Sequence, residues 1–180
     1  MLKKVLGVTV GVITAAMLLF APAKAFCSDS SYPTKTAGIF VNPLGIAFGV
    51  FGAEFDYAVA EKLTLNISGS FYKTGNTTAF GGGVGAQWFP LEKAFHRFWI
   101  MPRVDFAAAT AEEQGISASA KLLAVGGLLG WQWTWDGGFS IRLGGGAMYY
   151  TALAEDEDKT VEVGLKGVLP SLDFSIGYTF

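Results

Sequence analysis

Cysteine, charge and long apolar runs are all scarce in this chain of 180 residues. Cys27 is the only cysteine, which excludes a disulfide framework within the chain. Charged residues make up 16% of the sequence, against about a quarter in an ordinary soluble domain. After residue 25 the longest apolar runs, Leu44–Ala53 and Leu122–Trp131, fall short of the ~18 residues that a membrane-spanning helix needs. Aromatic residues, at 14%, exclude a disordered chain, so the apolar content must be organised in some form other than helices.

The first 25 residues are typical of a secretory signal peptide. Lys3 and Lys4 precede the apolar stretch Val5–Phe20, and Ala23–Ala25 is a small-x-small cleavage site. An uncleaved anchor helix is the alternative, but the apolar stretch is short and contains two threonines. We therefore predict a signal peptide over residues 1–25, a short periplasmic segment over 26–35 and one domain over 36–180.

Cleavage of this segment changes the charge balance. It removes three of the 13 basic residues and none of the 15 acidic ones, which leaves a net charge of −5. A basic footprint for nucleic acid is therefore missing, and we expect no nucleic-acid partner. Lipidation of Cys27 is disfavoured because Phe26, rather than a small residue, directly precedes it.

The mature chain alternates between apolar and polar residues with a period of two. In Leu63–Tyr72 the leucines, Ile67 and Phe71 share one face, while threonine, asparagine and serines occupy the other. A shorter segment, Lys35–Asn42, precedes them and is joined to the next by a tight turn over Asn42–Gly45. The pattern predicts an all-β fold, an antiparallel up-and-down barrel of eight strands, an even number as in bacterial single-chain barrels. The other alternating segments are Ile46–Ala58, Ala79–Phe89, Arg97–Ala108, Ser119–Thr134, Phe139–Tyr150 and Val168–Phe180.

Side-chain volume decides which face of the strands points outward. A soluble lipocalin-type barrel would place the apolar face inside, but its many aromatic rings cannot fit into an eight-stranded interior. The rings must then face outward, which is tolerable only against lipid, so we predict a transmembrane barrel. The glycine-rich, polar face lines the lumen. We expect an aromatic girdle at the two rims, formed by Tyr57, Trp88, Trp131 and Trp133 at the inner rim and Tyr149 at the outer one.

The connections between the strands alternate in length. The shorter ones are Ala60–Lys62, Pro90–His96 and Asp136–Gly138, and the longer ones are Lys73–Thr78, Thr110–Ala118 and Thr151–Lys166. Barrels of this kind have short periplasmic turns and longer external loops. Both termini are therefore expected in the periplasm.

The last strand carries aromatic or aliphatic residues at every second position back from the C-terminus: Leu172, Phe174, Ile176, Tyr178 and Phe180. With this strand, the layout of residues 36–180 resembles the small eight-stranded outer-membrane proteins of Gram-negative-type bacteria, the OmpA/OmpX-like barrels. In that family a terminal Phe with this pattern is the signal read by the barrel-assembly machinery. The segments FVNPLGIAFG, EFDYAVAEKLTL and GWQWTWDGGFSI are similar to uncharacterised outer-membrane barrel families.

The resemblance implies a location and partners rather than an activity. It implies an integral protein of the bacterial outer membrane that contacts outer-membrane lipid and lipopolysaccharide. During insertion the partner would be the barrel-assembly machinery. We expect a monomer, and the sequence does not identify an external ligand.

Six charged residues point into the lumen according to the alternation. Four of them, Glu54, Arg103, Arg142 and Asp173, are expected to share a layer. A charged constriction in a narrow channel is one interpretation. An ion-paired plug that satisfies buried charges in a closed lumen is the other, and it is favoured because porin-sized lumens need ~16 strands. The predicted lumen charge cluster comprises Glu54, Asp56, Arg103, Asp105, Arg142 and Asp173.

Motifs for catalysis, cofactors or metals are weak. His96 is the only histidine and is expected to be an exposed turn residue; Arg97 and Phe98 follow it, so the His-x-Ser arrangement of lipid A deacylase barrels is missing. Gly81–Ala86 alternates within a strand, whereas a dinucleotide-binding loop must open a helix. Glu155–Asp158 lacks the spacing of a calcium loop, and a solvated loop tip is favoured over a weak cation site. We predict no catalytic, cofactor-binding or metal-binding residue.

Three functions remain open at this point. The first is a non-enzymatic outer-membrane protein that supports the envelope or makes surface interactions through its external loops. The second is a narrow passive channel for small solutes or ions. The third, and least favoured, is a lipid-modifying enzyme.

Overall fold

The computed structural model of the chain describes residues 34–113, 116–156 and 159–180, with side chains at 34–110, 119–151 and 166–180. The predicted signal peptide over residues 1–25, Cys27 and most of the segment 26–35 lie outside the described residues. So do the side chains of the acidic stretch Glu155–Asp158.

Alternation in the sequence produces eight strands in the described chain. They are β1 (Ala37–Val41), β2 (Val50–Ala60), β3 (Leu63–Thr74), β4 (Thr77–Trp88), β5 (Arg97–Glu113), β6 (Ile116–Thr134), β7 (Phe139–Asp156) and β8 (Lys159–Thr179). A five-residue helix, α1 (Pro43–Ala47), connects β1 to β2. Among the described residues, no helix has the length and apolar character needed to cross a membrane.

The strands form one closed sheet. Each strand pairs antiparallel with the next in sequence, and β1 pairs with β8 to close the barrel, so the predicted eight-stranded up-and-down barrel is confirmed. The stagger of the closed sheet is ten residues. A path from Phe40 through successive paired residues, once around the barrel, returns to the line of β1 ten residues beyond Phe40. A stagger of this size tilts the strands by about 40°. Because the stagger is even, the same alternate residues face inward all the way round.

The two ends of the barrel differ. At one end, which we call the terminal end, the first described strand meets the C-terminus: Thr36 and Ala37 donate backbone hydrogen bonds to the carbonyl oxygen of Phe180 at 2.8 and 2.9 Å. The connections β2–β3, β4–β5 and β6–β7 lie at this same end. The opposite end, which we call the hairpin end, carries α1 and the connections β3–β4, β5–β6 and β7–β8.

The predicted long loops at the hairpin end are wrong. Strand pairing continues to Glu113–Ile116 in β5–β6 and to Asp156–Lys159 in β7–β8, where loops over Thr110–Ala118 and Thr151–Lys166 were expected. The third expected loop, Lys73–Thr78, is a two-residue turn after the pair Thr74–Thr77. Between Thr110 and Ala118 the sequence carries alanine, serine, threonine and acidic residues without alternation of apolar and polar positions, so nothing there predicts a strand. In Thr151–Lys166 the alternation is confined to Val161, Val163 and Leu165.

The expected tight turn over Asn42–Gly45 is also wrong, because α1 stands there. Asn42 is the N-cap residue: its side-chain oxygen accepts a hydrogen bond from the Gly45 amide at 2.9 Å. Pro43 follows at the first helical position, where its missing N–H costs nothing. The Asn-Pro pair therefore starts a helix rather than a hairpin turn.

The outer surface of the barrel is apolar and aromatic. The girdle residues Tyr57, Trp88, Trp131, Trp133 and Tyr149 are all exposed on it. Aliphatic residues fill the belt between the rims, as at Ile67, whose side chain is 58% exposed. The interior, by contrast, buries eleven polar or charged residues among the side chains that the structure describes: Asp56, Thr64, Asn66, Gln87, His96, Gln132, Ser140, Arg142, Asp173, Ser175 and Thr179.

Glycines on the lumen face make room for large inward side chains. Gly130 and Gly144 are cross-strand partners, and a Cβ atom added to either would stand 2.6 or 2.5 Å from the buried ring of Trp99. A side chain at Gly144 would therefore compete with Trp99 for the same space. Gly69, on the outer face, has nothing within 4 Å of an added Cβ.

We expect Gly144→Val to lower the free energy of unfolding by about 1–3 kcal/mol, because overpacking displaces a ring that has no free space around it. Gly69→Val is the matched control and should change stability by no more than about 0.5 kcal/mol. Urea unfolding of the refolded barrel, followed by tryptophan fluorescence, measures both. Equal stability of the two variants would contradict the tight fit around Trp99.

Candidate functional site in the lumen

Four strands carry the six residues of the predicted lumen charge cluster. β2 supplies Glu54 and Asp56, β5 supplies Arg103 and Asp105, β7 supplies Arg142, and β8 supplies Asp173. On each strand these residues alternate with exposed apolar neighbours such as Phe55, so the even stagger aims all six inward. The structure joins them into a single network of ion pairs, which we call the lumen network.

Arg142 is the centre of the lumen network. Its Nε donates a hydrogen bond to Asp173 Oδ2 at 2.8 Å, and its Nη1 donates to Asp56 Oδ2 at 2.8 Å. Its Nη2 donates to Glu54 Oε2. The side chain is fully buried, so water does not screen these three ion pairs. The guanidinium carbon also lies 4.7 Å from the centre of the Phe40 ring, within cation–π range.

Arg103 forms the second half of the lumen network, on the side of the hairpin end. Its Nε and Nη2 donate to the two carboxylate oxygens of Asp105 at 2.9 and 2.7 Å, a bidentate geometry. Its Nη1 lies 3.6 Å from Glu54 Oε1. Glu54 therefore bridges the two arginines, and four carboxylates surround two guanidinium groups.

Two polar residues outside the predicted cluster donate hydrogen bonds to the carboxylates of the lumen network. Asn66 Nδ2 donates to Asp56 Oδ1 at 2.6 Å and to Glu54 Oε2 at 3.1 Å. Ser175 Oγ donates to Asp173 Oδ1 at 2.6 Å. Both lie on the polar face of their strands, and that alternation was the available signal. The sequence does not show which of the many lumen-facing polar residues reach a carboxylate.

A cavity of about 280 Å³ lies between the lumen network and the hairpin end. Glu54, Arg103 and Asp105 border it on one side, and Ser68, Ser70 and Tyr150 line its wall. Asn42 and Gly45, at the start of α1, also line it. The cavity is thus polar at its base and has a short helix as part of its wall.

An apolar floor closes the lumen below Arg142. The connection between β4 and β5 folds back into the terminal end of the barrel, where Phe89 and Phe95 are fully buried against Phe40, Trp99 and Met101. Thr134 Oγ1 donates a 2.6 Å hydrogen bond to the carbonyl oxygen of Phe95 and fixes this fold-back. Phe95 has a φ of 70°, a left-handed conformation that bulky residues rarely adopt without support from their surroundings.

His96 belongs to this fold-back, and the prediction of an exposed turn histidine is wrong. Its side chain is only 3% exposed, because the connection that carries it turns into the barrel instead of into solvent. Burial lowers the pKa of His96 from its ordinary value, against the opposing effect of Glu92. The neutral imidazole is therefore the favoured form. His96 lies at the terminal end, whereas Ser68 and Ser70 line the cavity on the other side of the lumen network.

The residues of the expected assembly signal lie on the outer face of the C-terminal half of β8 and at Phe180, directly after it. Leu172, Tyr178 and Phe180 are exposed on the outer surface, and Phe174 and Ile176 are half-buried there.

No group of three or more His, Cys, Asp or Glu side chains within the described part of the chain has the arrangement of a metal site.

Comparison with protein-family models, curated proteins and solved structures finds no match to this chain.

Proposed function

We propose that the chain is an integral outer-membrane β-barrel protein without enzymatic activity, which supports the envelope or makes surface contacts through its hairpin end. The observation that carries the proposal is the inverted distribution of side chains. Leucines, isoleucines, valines and aromatic rings cover the outer surface, while Arg142 and Asp56 are fully buried. A continuous apolar surface of this extent is unfavourable in water and favourable in a bilayer.

The proposed orientation places the terminal end in the periplasm and the hairpin end outside. Strands β5 to β8 have 17, 19, 18 and 21 residues, whereas β2, β3 and β4 have 11, 12 and 12. The longer strands extend beyond the apolar belt at the hairpin end. We assign surface contacts to this extension, because it is the part that would project from the membrane.

The side chains that fill the lumen favour a non-conducting barrel over a passive channel. Arg142 and Asp56 are inaccessible to solvent, and the aromatic floor of Phe89 and Phe95 lies directly below them. A conducting path would have to pass both layers. The separation of His96 from Ser68 and Ser70 likewise favours a non-enzymatic protein over a lipid hydrolase, which needs a base within hydrogen-bond reach of its nucleophile.

The proposed partners follow from the same placement. The outer surface contacts outer-membrane lipid and lipopolysaccharide, and the strand that ends at Phe180 is read by the barrel-assembly machinery. We propose a monomer, since the barrel closes on itself through β1 and β8 and leaves no full-length strand edge for a second copy.

Fractionation together with gel mobility tests the proposal. Expressed in a Gram-negative host, the protein should remain in the outer-membrane fraction after carbonate extraction. It should also migrate faster on a gel when unheated than after boiling, because the folded barrel resists detergent. Protein that carbonate releases, with one mobility in both samples, would contradict a membrane-embedded barrel.

A further inference from the structure

The seam between β1 and β8 covers only part of the barrel wall. β1 has five residues and β8 has 21, and their ladder ends at the pair Val41–Ile176. Beyond that pair the chain leaves the sheet and forms α1 before β2 begins at Val50. On the side of the hairpin end, β8 and the first residues of β2 therefore face a short helix where the other strands pair with a strand.

The backbone of β8 is left unpaired along this stretch. Ala37 and Phe180 exchange both of their backbone hydrogen bonds, at 2.9 and 2.8 Å, so every second residue back from Phe180 aims its N–H and C=O toward β1. Phe174, Leu172 and Pro170 continue that series past the end of β1. Within the described chain no backbone hydrogen bond joins α1 to β8. Pro170 has no N–H to leave unpaired, which is the position that proline tolerates in a sheet.

α1 has one side toward the cavity and one toward the exterior. Asn42 and Gly45 line the cavity, whereas Leu44, Ile46 and Phe48 are exposed, Phe48 by 79%. No residue of α1 is buried. At this place α1 lies between the cavity and the surroundings of the barrel, and within the described chain no backbone hydrogen bond holds it to β8.

We propose that α1 is a lateral gate, whose displacement from β8 connects the cavity with the apolar core of the membrane and admits amphipathic molecules dissolved there. The inference rests on the proposed function, since it requires lipid around the barrel. The exposed Leu172 and Phe48 provide an apolar route for a hydrocarbon chain. Glu54, Arg103 and Asp105 offer hydrogen bonds and charge to the polar head at the base of the cavity. A protein strand is the less suitable occupant, because Pro170 interrupts any ladder along this edge.

A thiol inside the cavity tests the gate. Cys27→Ser removes the natural thiol, and Ser70→Cys places a reporter in the cavity wall. In lipid vesicles, N-dodecylmaleimide reaches the reporter from the bilayer, and a small charged maleimide reaches it only from water. Leu44→Cys with Leu172→Cys, oxidised to a disulfide, ties α1 to β8 and serves as the seam lock. Ile67→Cys with Val84→Cys is the matched lock, since these paired residues lie on the outer face of β3 and β4.

We expect the seam lock to slow the reaction of the reporter with N-dodecylmaleimide by about tenfold, as for a lid held shut, and the matched lock to leave it unchanged. The charged maleimide should react equally in all three proteins. Equal rates with N-dodecylmaleimide in the two locked proteins, or an equal slowing of both reagents by the seam lock, would overturn the gate. Carbonate extraction of the same vesicles separates the two proposals: protein that stays embedded while the lock has no effect refutes the gate alone, and protein that carbonate strips refutes the membrane barrel as well.

Discussion

Replacing Arg142 with alanine should lower the free energy of unfolding by about 3–5 kcal/mol, the cost of removing one partner from a buried ion pair. Three carboxylates, those of Glu54, Asp56 and Asp173, bind this one guanidinium. Without it they repel one another, and the carboxylates of Asp56 and Asp173 are buried away from water. Urea unfolding, or the temperature at which the folded gel band disappears, measures the loss.

Arg97→Ala is the control for this variant. Arg97 pairs with Glu92 at 3.4 Å but is 47% exposed, so its removal should cost no more than about 1 kcal/mol. A second variant keeps the test decisive if Arg142→Ala fails to fold. Arg142→Met combined with Glu54→Gln, Asp56→Asn and Asp173→Asn removes both signs of charge together and should recover most of the stability. Equal stability of Arg142→Ala and Arg97→Ala would contradict the structural role of the lumen network.

The same variants also test whether the lumen conducts. The apolar floor formed by Phe89 and Phe95 remains in place when Arg142 is truncated. We therefore expect no large single-channel conductance from Arg142→Ala in planar bilayers. A large and selective increase would show that Arg142 is the barrier in a channel, and the closed-lumen interpretation would be wrong.

An arginine at Ile67 should destabilise the membrane-inserted barrel by about 2–4 kcal/mol, as a cation does at the midplane of a lipid-facing barrel surface. Ile67 lies in the middle of β3, points outward and is 58% exposed. The effect comes from the surroundings of the barrel and not from its interior, because an outward side chain at this position displaces no neighbour in the lumen. Reversible unfolding from lipid vesicles is the measurement.

Leu91→Arg is the matched control, because Leu91 is equally exposed, at 55%, but lies in the connection at the terminal end, outside the belt. We expect a change of no more than about 1 kcal/mol there. If the barrel were a water-soluble protein, both arginines would be surface substitutions with effects within about 0.5 kcal/mol. Similar stabilities of the two variants would therefore contradict a lipid-facing belt.

The barrel could be predicted because its two faces differ so strongly in composition. In β3 the alternation runs unbroken from Leu63 to Tyr72, and the structure pairs every one of those residues with β4 in register. The size of the aromatic rings then excludes an interior filled by the apolar face of the strands. Where successive positions carry alanine, serine or acidic residues, as around Thr110–Ala118, the alternation vanishes and the sequence predicts loops in place of strands.

The sequence predicts most of the residues that form the lumen network, but it does not predict their contacts. The alternation of apolar and polar residues assigns Glu54 and Arg142 to the interior, but only the stagger of the closed sheet shows that Glu54 bridges Arg142 and Arg103. His96 was missed for a different reason. A connection that folds back into a barrel depends on the space left below Arg142 and on a left-handed Phe95, and neither leaves a periodic signal in the sequence.

The most direct test of the account is the environment of alternate residues along β3. Single spin labels from Leu65 to Phe71, with Cys27→Ser, report collision with oxygen, which concentrates in lipid, and with a charged nickel chelate, which stays in water. In vesicles, the account predicts high oxygen and low nickel accessibility at Leu65, Ile67, Gly69 and Phe71, and low oxygen accessibility at the lumen-facing residues between them. High nickel accessibility at Ile67 and its outward neighbours would place water against the apolar face and contradict a membrane-embedded barrel.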